Sequence, residues 1–209
     1  MLQKTRDIFG FRDDEIKLAR QNNQLLSLEI EFGSRCNLRC IYCYAGDNLF
    51  RDNELELEEM FDVISQAKAL GAQKIIYIGA GEPLLDNKLT KVIKYVHKLG
   101  MGHILFTNAT LINSELADLF YSHKLVVVVK YSSLNQETFD LLSASPGSYK
   151  AMQRGLNYLF KAGYPDSEHH LGVETVISNH NLKDIPELWL WARRKNILPY
   201  VECMTYKGS

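Results

Sequence analysis

Cys36, Cys40 and Cys43 stand in a Cys-x3-Cys-x2-Cys arrangement inside the stretch from Ser34 to Tyr44, directly after an alternating, strand-like run. Thiolates are metal ligands, and three of them within eight residues can wrap one side of a compact metal centre. A mononuclear structural zinc site asks for four ligands. No Cys or His follows nearby to complete it, so a distant residue such as His97 or His103 would have to be recruited. An iron–sulfur cube held at three corners suits the set better, because its unligated fourth iron stays free for chemistry.

Other residues along the chain carry chemistry of their own. In Gly79-Ala80-Gly81-Glu82-Pro83, small residues permit close backbone approach, and the Glu82 carboxylate can accept from an ammonium group. Thr107 and Asn108 follow an apolar run, as do Lys130 and Ser132. Lys130 can pair with a ligand carboxylate or simply solvate a strand end. Glu174 stands between Val173 and Thr175; it is expected to face an interior, to contact a ligand or to make a structural hydrogen bond. Cys203 is either a small buried hydrophobe or a hydrogen-atom donor or ligand inside the fold. The pair Trp189 and Trp191 suits helix packing, and His169-His170 a solvated turn.

These residues need strands and helices to position them. A short amphipathic helix is expected over Asp13–Gln24. Leu26–Phe32 then alternates, with Leu28, Ile30 and Phe32 on one face and Ser27, Glu29 and Glu31 on the other, the period of a strand. Its acidic face points either into a solvated or ligand-filled interior or to solvent from an antiparallel sheet. Further strands are expected at Lys74–Ile78, His103–Phe106, Leu125–Val129, Leu171–Ile177 and Pro199–Thr205. Helices are expected at Leu55–Leu70, Asn87–Leu99, Asn113–Tyr121, Leu134–Leu142, Tyr149–Ala162 and Ile185–Lys195, with Gly71, Gly100 and Gly163 as stops and Asn113 and Asn135 at helix starts.

Strand–helix alternation with short connections indicates a parallel sheet with right-handed crossovers. The expected fold is α/β, a partial (β/α)6 TIM-like barrel of six parallel strands with an N-terminal helix. A closed eight-fold barrel takes about 250 residues, so six units need roughly 190. Residues 1–24 form an N-terminal helical extension and 25–209 the core domain. The run ends on a sixth strand, as if cut from a longer protein before a C-terminal extension.

Composition narrows the function classes. The chain of 209 residues is 46% apolar and 23% charged, typical of a globular protein. A net charge of -1 argues against a dedicated nucleic-acid binder. No run approaches the roughly 20 apolar residues of a membrane span, and Met1 to Arg12 lacks a signal-peptide core. Four cysteines, three of them crowded, do not suit a secreted disulfide framework. A reducing compartment, the cytoplasm, is expected.

The cysteine spacing resembles that of the radical S-adenosylmethionine enzymes, and Gly79 to Pro83 is similar to that family's Gly-Gly-Glu-Pro motif with Ala80 in place of the first glycine. The resemblance covers Leu26 to Thr205. It implies a [4Fe-4S] cluster on Cys36, Cys40 and Cys43 whose fourth iron takes the amino and carboxylate groups of S-adenosylmethionine. Reductive cleavage of that molecule then yields a 5′-deoxyadenosyl radical that abstracts hydrogen from a substrate. Tyr42 matches the aromatic position beside the adenine, Gly81 and Glu82 the methionyl-binding motif, and Thr107 with Asn108 a pair near the cofactor. Lys130 and Ser132 match positions beside the ribose or carboxylate, and Glu174 is a candidate for the ribose hydroxyls. Cys-Asn-Leu-Arg-Cys-Ile-Tyr-Cys-Tyr-Ala and the later Ser-Pro-Gly-Ser-Tyr-Lys resemble the branch that carries SPASM or twitch extensions with auxiliary clusters. The implied partners are a small-molecule or peptide substrate and an electron donor such as flavodoxin or ferredoxin, with no membrane and no nucleic acid. The alternative is a non-catalytic iron–sulfur or zinc-binding module on the same fold.

Overall fold

The computed structural model describes residues 8–45 and 53–203. Its strands are β1 (Ser27–Ile30), β2 (Lys74–Tyr77), β3 (Gly102–Thr107), β4 (Val126–Lys130), β5 (Leu171–Ile177) and β6 (Leu198–Cys203). They lie in sequence order in one sheet, and every neighbouring pair is parallel. Parallel neighbours need crossovers, and these are supplied by α2 (Leu57–Ala69), α3 (Leu89–Lys98), α4 (Ser114–Ser122), α5 (Gln136–Ser143), α6 (Ser148–Ala162) and α7 (Ile185–Arg194), with α1 (Asp13–Gln21) preceding the sheet. The open six-stranded (β/α) barrel expected from the alternation is present.

Period two along each strand separates two faces. Ile75, Tyr77, Leu105, Val127, Val129, Leu171 and Val173 join the helix residues Met60, Ile64, Val92, Phe120, Met152 and Leu156 in one core. Alternate residues, among them Phe106, Lys130 and Glu174, turn to the concave side. Glu29 and Glu31 are exposed while Ile30 and Phe32 are buried. Since β1 pairs in parallel, the antiparallel alternative for its acidic face is excluded. Tyr200 of β6 feels the charge of Glu29 on β1, so the sheet curves its two edges towards one another.

Most differences from the expected boundaries are of one to three residues. α1 ends at Gln21 rather than Gln24, because Asn23 takes a left-handed φ of 52°. β1 stops at Ile30, short of Phe32. The expected end of the sixth strand at Thr205 lies outside the described residues. Asn113 and Asn135 cap α4 and α5 as anticipated, accepting from the backbone N–H of Leu116 and Thr138.

Two features were not legible in advance. The amino-terminal mouth of the sheet is closed by residues 8–11: the buried Lys74 ammonium donates to the carbonyls of Ile8 (2.9 Å) and Gly10 (2.8 Å) and lies 4.1 Å from the Phe11 ring centroid. Phe9 packs over Gly172 and stands 5.9 Å from Tyr200.

Asp140 of α5 caps the next helix, accepting from the backbone N–H of Gly147 (2.9 Å) and Tyr149 (2.8 Å) and from the Ser148 hydroxyl (3.0 Å). Partial burial pushes its carboxyl up, but the Tyr149 and Gly147 N–H groups more than offset this, and it titrates below the usual value. Asp140→Ala is expected to lower stability at neutral pH by about 1–2 kcal/mol. A depressed carboxyl contributes stability above its unfolded pKa of about 3.9, which is lost as pH falls through the lower folded value. The gap between variant and parent in urea midpoint should therefore narrow below about pH 4.

Candidate active site

The carboxyl ends of the strands open into a cavity of about 310 Å³, a size suited to a small molecule. All four cysteines line it, with Tyr42, Glu82, Thr107, Asn108, Lys130 and Ser132. Cys36 and Cys40 are half-buried, Cys43 and Cys203 exposed, and all four are free thiols. Cys203 is therefore no buried packing residue; the curvature of the sheet brings the end of β6 to the same wall as the cysteine loop.

The loop that carries Cys36, Cys40 and Cys43 is held by its backbone. The N–H groups of Arg39 and Ile41 donate to Ser143 O (3.1 Å) and Leu142 O (3.0 Å) at the end of α5. Arg39 folds its guanidinium onto Cys36 O (2.8 Å) and Leu38 O (2.9 Å). The Leu38 N–H points at Cys36 Sγ (3.4 Å). Burial, and next the charge of Cys36, pushes the Cys40 thiol up to about 11.

Gly81 packs directly on this loop. A Cβ there would sit 2.3 Å from Arg35 O and 2.5 Å from Gly33 O, and the Glu82 N–H donates to Arg35 O at 2.8 Å. The small residue thus admits the cysteine loop's backbone. Gly81→Ala must push that loop away, and a loss of about 1–3 kcal/mol is expected. Chemical denaturation, read beside iron retention, checks this.

Glu82 is buried. Its Oε1 accepts from Thr107 Oγ1 (2.6 Å) and the Leu84 N–H (3.2 Å), its Oε2 from the Asn108 N–H (2.7 Å). A carboxylate offers about four lone-pair sites, so one remains for a further donor. Burial raises its pKa, and the Asn108 N–H, the Thr107 hydroxyl and the Leu84 N–H work against that rise. Pro83 opens a 3-10 turn (Pro83–Leu85) that Glu82 caps.

The remaining expected residues gather at the same rim. Tyr42 and Ser132 share a hydrogen bond of 2.9 Å between hydroxyls. Lys130 Nζ lies 2.5 Å from Glu174 Oε2 and 5.6 Å from the Phe106 ring centroid. The Glu174 carboxyl is raised by burial, with Lys130 pulling it down and Glu202 pushing it up. Tyr200 donates to Glu202 Oε1 at 3.0 Å, and burial followed by that contact pushes its hydroxyl up to about 12. Burial, and next the charges of Glu31, Cys43, Glu202 and Glu29, push the Tyr44 hydroxyl up. Glu202 is not among the residues expected from the sequence, although alternation along β6 puts it on the face of Tyr200, the register partner of Glu174.

The histidines stand apart. His103, second residue of β3, donates from Nε2 to His123 O (2.7 Å), and His97 donates from Nδ1 to the same carbonyl (3.0 Å); both lie near the amino ends of the strands. His169 is held by Asp166 and stacks on Tyr121 just before β5. No histidine lines the cysteine cavity, and among the described residues no group of three or more His, Cys, Asp or Glu side chains is drawn together as a metal-ion site. Cys36, Cys40 and Cys43 on one loop are soft donors suited to three corners of an iron–sulfur cube, and Cys203 is a further thiol on the same cavity wall.

Comparison with known proteins bears on the fold and the family. The chain is 28% identical over 189 residues to the Fe-coproporphyrin III synthase of Methanosarcina barkeri, covering 84% of this chain and 46% of that protein. It is 25% identical over 173 residues to the S-adenosylmethionine-dependent nucleotide dehydratase of Flammeovirga pacifica, 80% of this chain and 59% of that protein. The chain thus spans about half the length of the curated relatives it matches. Streptococcus suis SuiB bound to precursor peptide SuiA superposes with a TM-score of 0.75 at 19% identity, over 92% of this chain and 43% of SuiB. The structure of anSMEcpe with bound AdoMet gives 0.72 at 18% identity, over 86% of this chain and 50% of that one. At such identities the likeness is one of fold. Residues 30–192 match the Radical SAM superfamily, and with most of its length inside that match the chain belongs to the Radical SAM superfamily.

Proposed function

We propose that this chain binds a [4Fe-4S] cluster through Cys36, Cys40 and Cys43 and uses S-adenosylmethionine to begin radical chemistry on a substrate. When bound, the cluster supplies the single electron that splits S-adenosylmethionine into methionine and a 5′-deoxyadenosyl radical able to abstract hydrogen. The observation that carries this is the shared cavity: three free thiols and a buried carboxylate with one open lone-pair site face the same space.

Within that space Glu82 accepts the methionyl ammonium, a charge-assisted bond in a water-poor setting. Thr107 and the Asn108 N–H hold the carboxylate in place for it. Tyr42 and Ser132 brace the wall of the adenosyl pocket through their mutual hydrogen bond. Lys130 and Glu174 neutralise one another at the lumen floor, next to the ribose or substrate. Cys203, exposed on the same wall, is placed to meet the substrate. Residues 25–209 act as the core domain, residues 1–24 as its extension, and the whole works in the reducing cytoplasm. The electron comes from a flavodoxin- or ferredoxin-type donor. The substrate is a peptide or a small metabolite, since the similar proteins include SuiB, seen with a precursor peptide, and a nucleotide dehydratase.

Anaerobic reconstitution followed by dithionite and S-adenosylmethionine tests the proposal. Bound iron and sulfide near four per chain (about that ratio) and release of 5′-deoxyadenosine are expected. Stoichiometric zinc with no 5′-deoxyadenosine would establish the non-catalytic metal module instead.

A further inference from the structure

We propose that Asn37, inside the cysteine motif, is a positioning residue that holds the cluster loop in register with the Glu82 carboxylate; this rests on the proposed cluster and S-adenosylmethionine site. Asn37 lies between Cys36 and Leu38, and its amide is used at both ends. Its Nδ2 donates to Thr110 Oγ1 at 2.8 Å. Thr110 Oγ1 donates in turn to Asn108 Oδ1 at 2.7 Å. Asn108 Nδ2 then donates to Asn37 Oδ1 at 2.9 Å. The three side chains close a ring in which every proton runs the same way round, so each bond polarises the next. A fourth bond, Thr110 N–H to Asn108 Oδ1 at 3.0 Å, locks the turn that carries two of the three.

The ring is tied to the carboxylate. The backbone N–H of Asn108 donates to Glu82 Oε2 at 2.7 Å, so a single residue links the cysteine loop and the ammonium acceptor. The Glu82 N–H to Arg35 O bond, 2.8 Å long, is a second strut between the same two segments. Without the ring, the loop from Cys36 to Arg39 would keep its metal donors and its anchor on α5, but not its alignment with Glu82. A ligand that must meet an iron and a carboxylate at once is sensitive to that alignment, for a displacement of about 1 Å can cost on the order of a hundredfold. The amide of Asn108 is thus engaged with protein and acts on the ligand through the loop.

The test compares Asn37→Ala, Thr110→Val and Thr110→Ser with the parent chain after anaerobic reconstitution. Thr110→Val removes the ring's hydroxyl at nearly constant volume, and Thr110→Ser restores it. Iron content, the electron paramagnetic resonance signal of the reduced cluster with and without S-adenosylmethionine, and the dissociation constant of S-adenosylmethionine are read. Expected are parental iron and an unchanged signal before ligand addition in all variants. The ligand-induced change should broaden and affinity fall by about ten- to a hundredfold in Asn37→Ala and Thr110→Val alone. Parental affinity and a parental ligand-induced signal in Thr110→Val and Asn37→Ala overturn the positioning role while leaving the site intact. Loss of iron in Asn37→Ala with Thr110→Val unaffected also overturns it, making Asn37 part of metal retention only. A parent chain that takes up no iron overturns both the site and the role.

Discussion

Alanine at Cys36, Cys40 or Cys43 is expected to reduce bound iron at least about tenfold, because a cluster held at only two corners loses a thiolate for which no histidine on the cavity wall can substitute. The metal-free variants should still fold. The cysteines are half-buried or exposed and lie outside the core formed between sheet and helices. Their loop keeps its anchors on the α5 carbonyls Leu142 and Ser143. Thermal midpoints of the metal-free proteins should then agree closely, while the loaded parent gains stability that the variants lack, as expected for a ligand bound only by the native state. Cys203→Ala serves as the control and should retain full iron. Any one of the three motif variants holding parental iron and sulfide would sink the ligand assignment.

Changing Glu82 should have the second large effect, and on a different quantity. In Glu82→Gln one carboxylate oxygen becomes an NH2 group facing the Asn108 N–H, or else the Thr107 hydroxyl and Leu84 N–H. A donor then confronts a donor in a buried site, at a cost of about 1–3 kcal/mol. The charge that would hold an ammonium is also gone. A hydrogen bond to a charged group contributes about 1.5–3 kcal/mol, so S-adenosylmethionine affinity should fall roughly ten- to a hundredfold. Iron content should stay at the parental level, since no thiol is touched. Titration calorimetry with the reconstituted protein reads the affinity, and urea unfolding the stability. Equal affinity in parent and variant would remove Glu82 from the binding site.

Local signals carried the strands and helices far. Leu171–Ile177 reads as apolar β-rich sequence and is β5 to the residue. Asn113 and Asn135 announce helix starts because a short side-chain oxygen can accept an orphan N–H, and both do so. Ends governed by a turn rather than by a side chain were less legible, as at Asn23, whose left-handed backbone closes α1 early. The plug formed by Ile8, Gly10 and Lys74 was not legible, because nothing local tells a lysine in an apolar strand which carbonyls it will find.

The candidate site divides in the same way. Spacing along the chain by itself picked out the candidate metal ligands, since Cys36, Cys40 and Cys43 are near neighbours carried on one loop. Alternation by itself determined that Glu29 would face away from the apolar side of its strand. Only the tertiary structure decided what each polar group does once there. It spends the Asn108 amide on Asn37 and Thr110, pairs Lys130 with Glu174 and makes Gly81 a seat for the cysteine loop. Of the two places open to Cys203, a buried packing position or the interior of the fold, it selects the cavity wall. The reason is physical: a hydrogen bond or ion pair is settled by distances of a few tenths of an ångström between residues as far apart in sequence as 37 and 110. Such distances are set by the curvature of the sheet and the docking of its loops, which no local run of residues encodes.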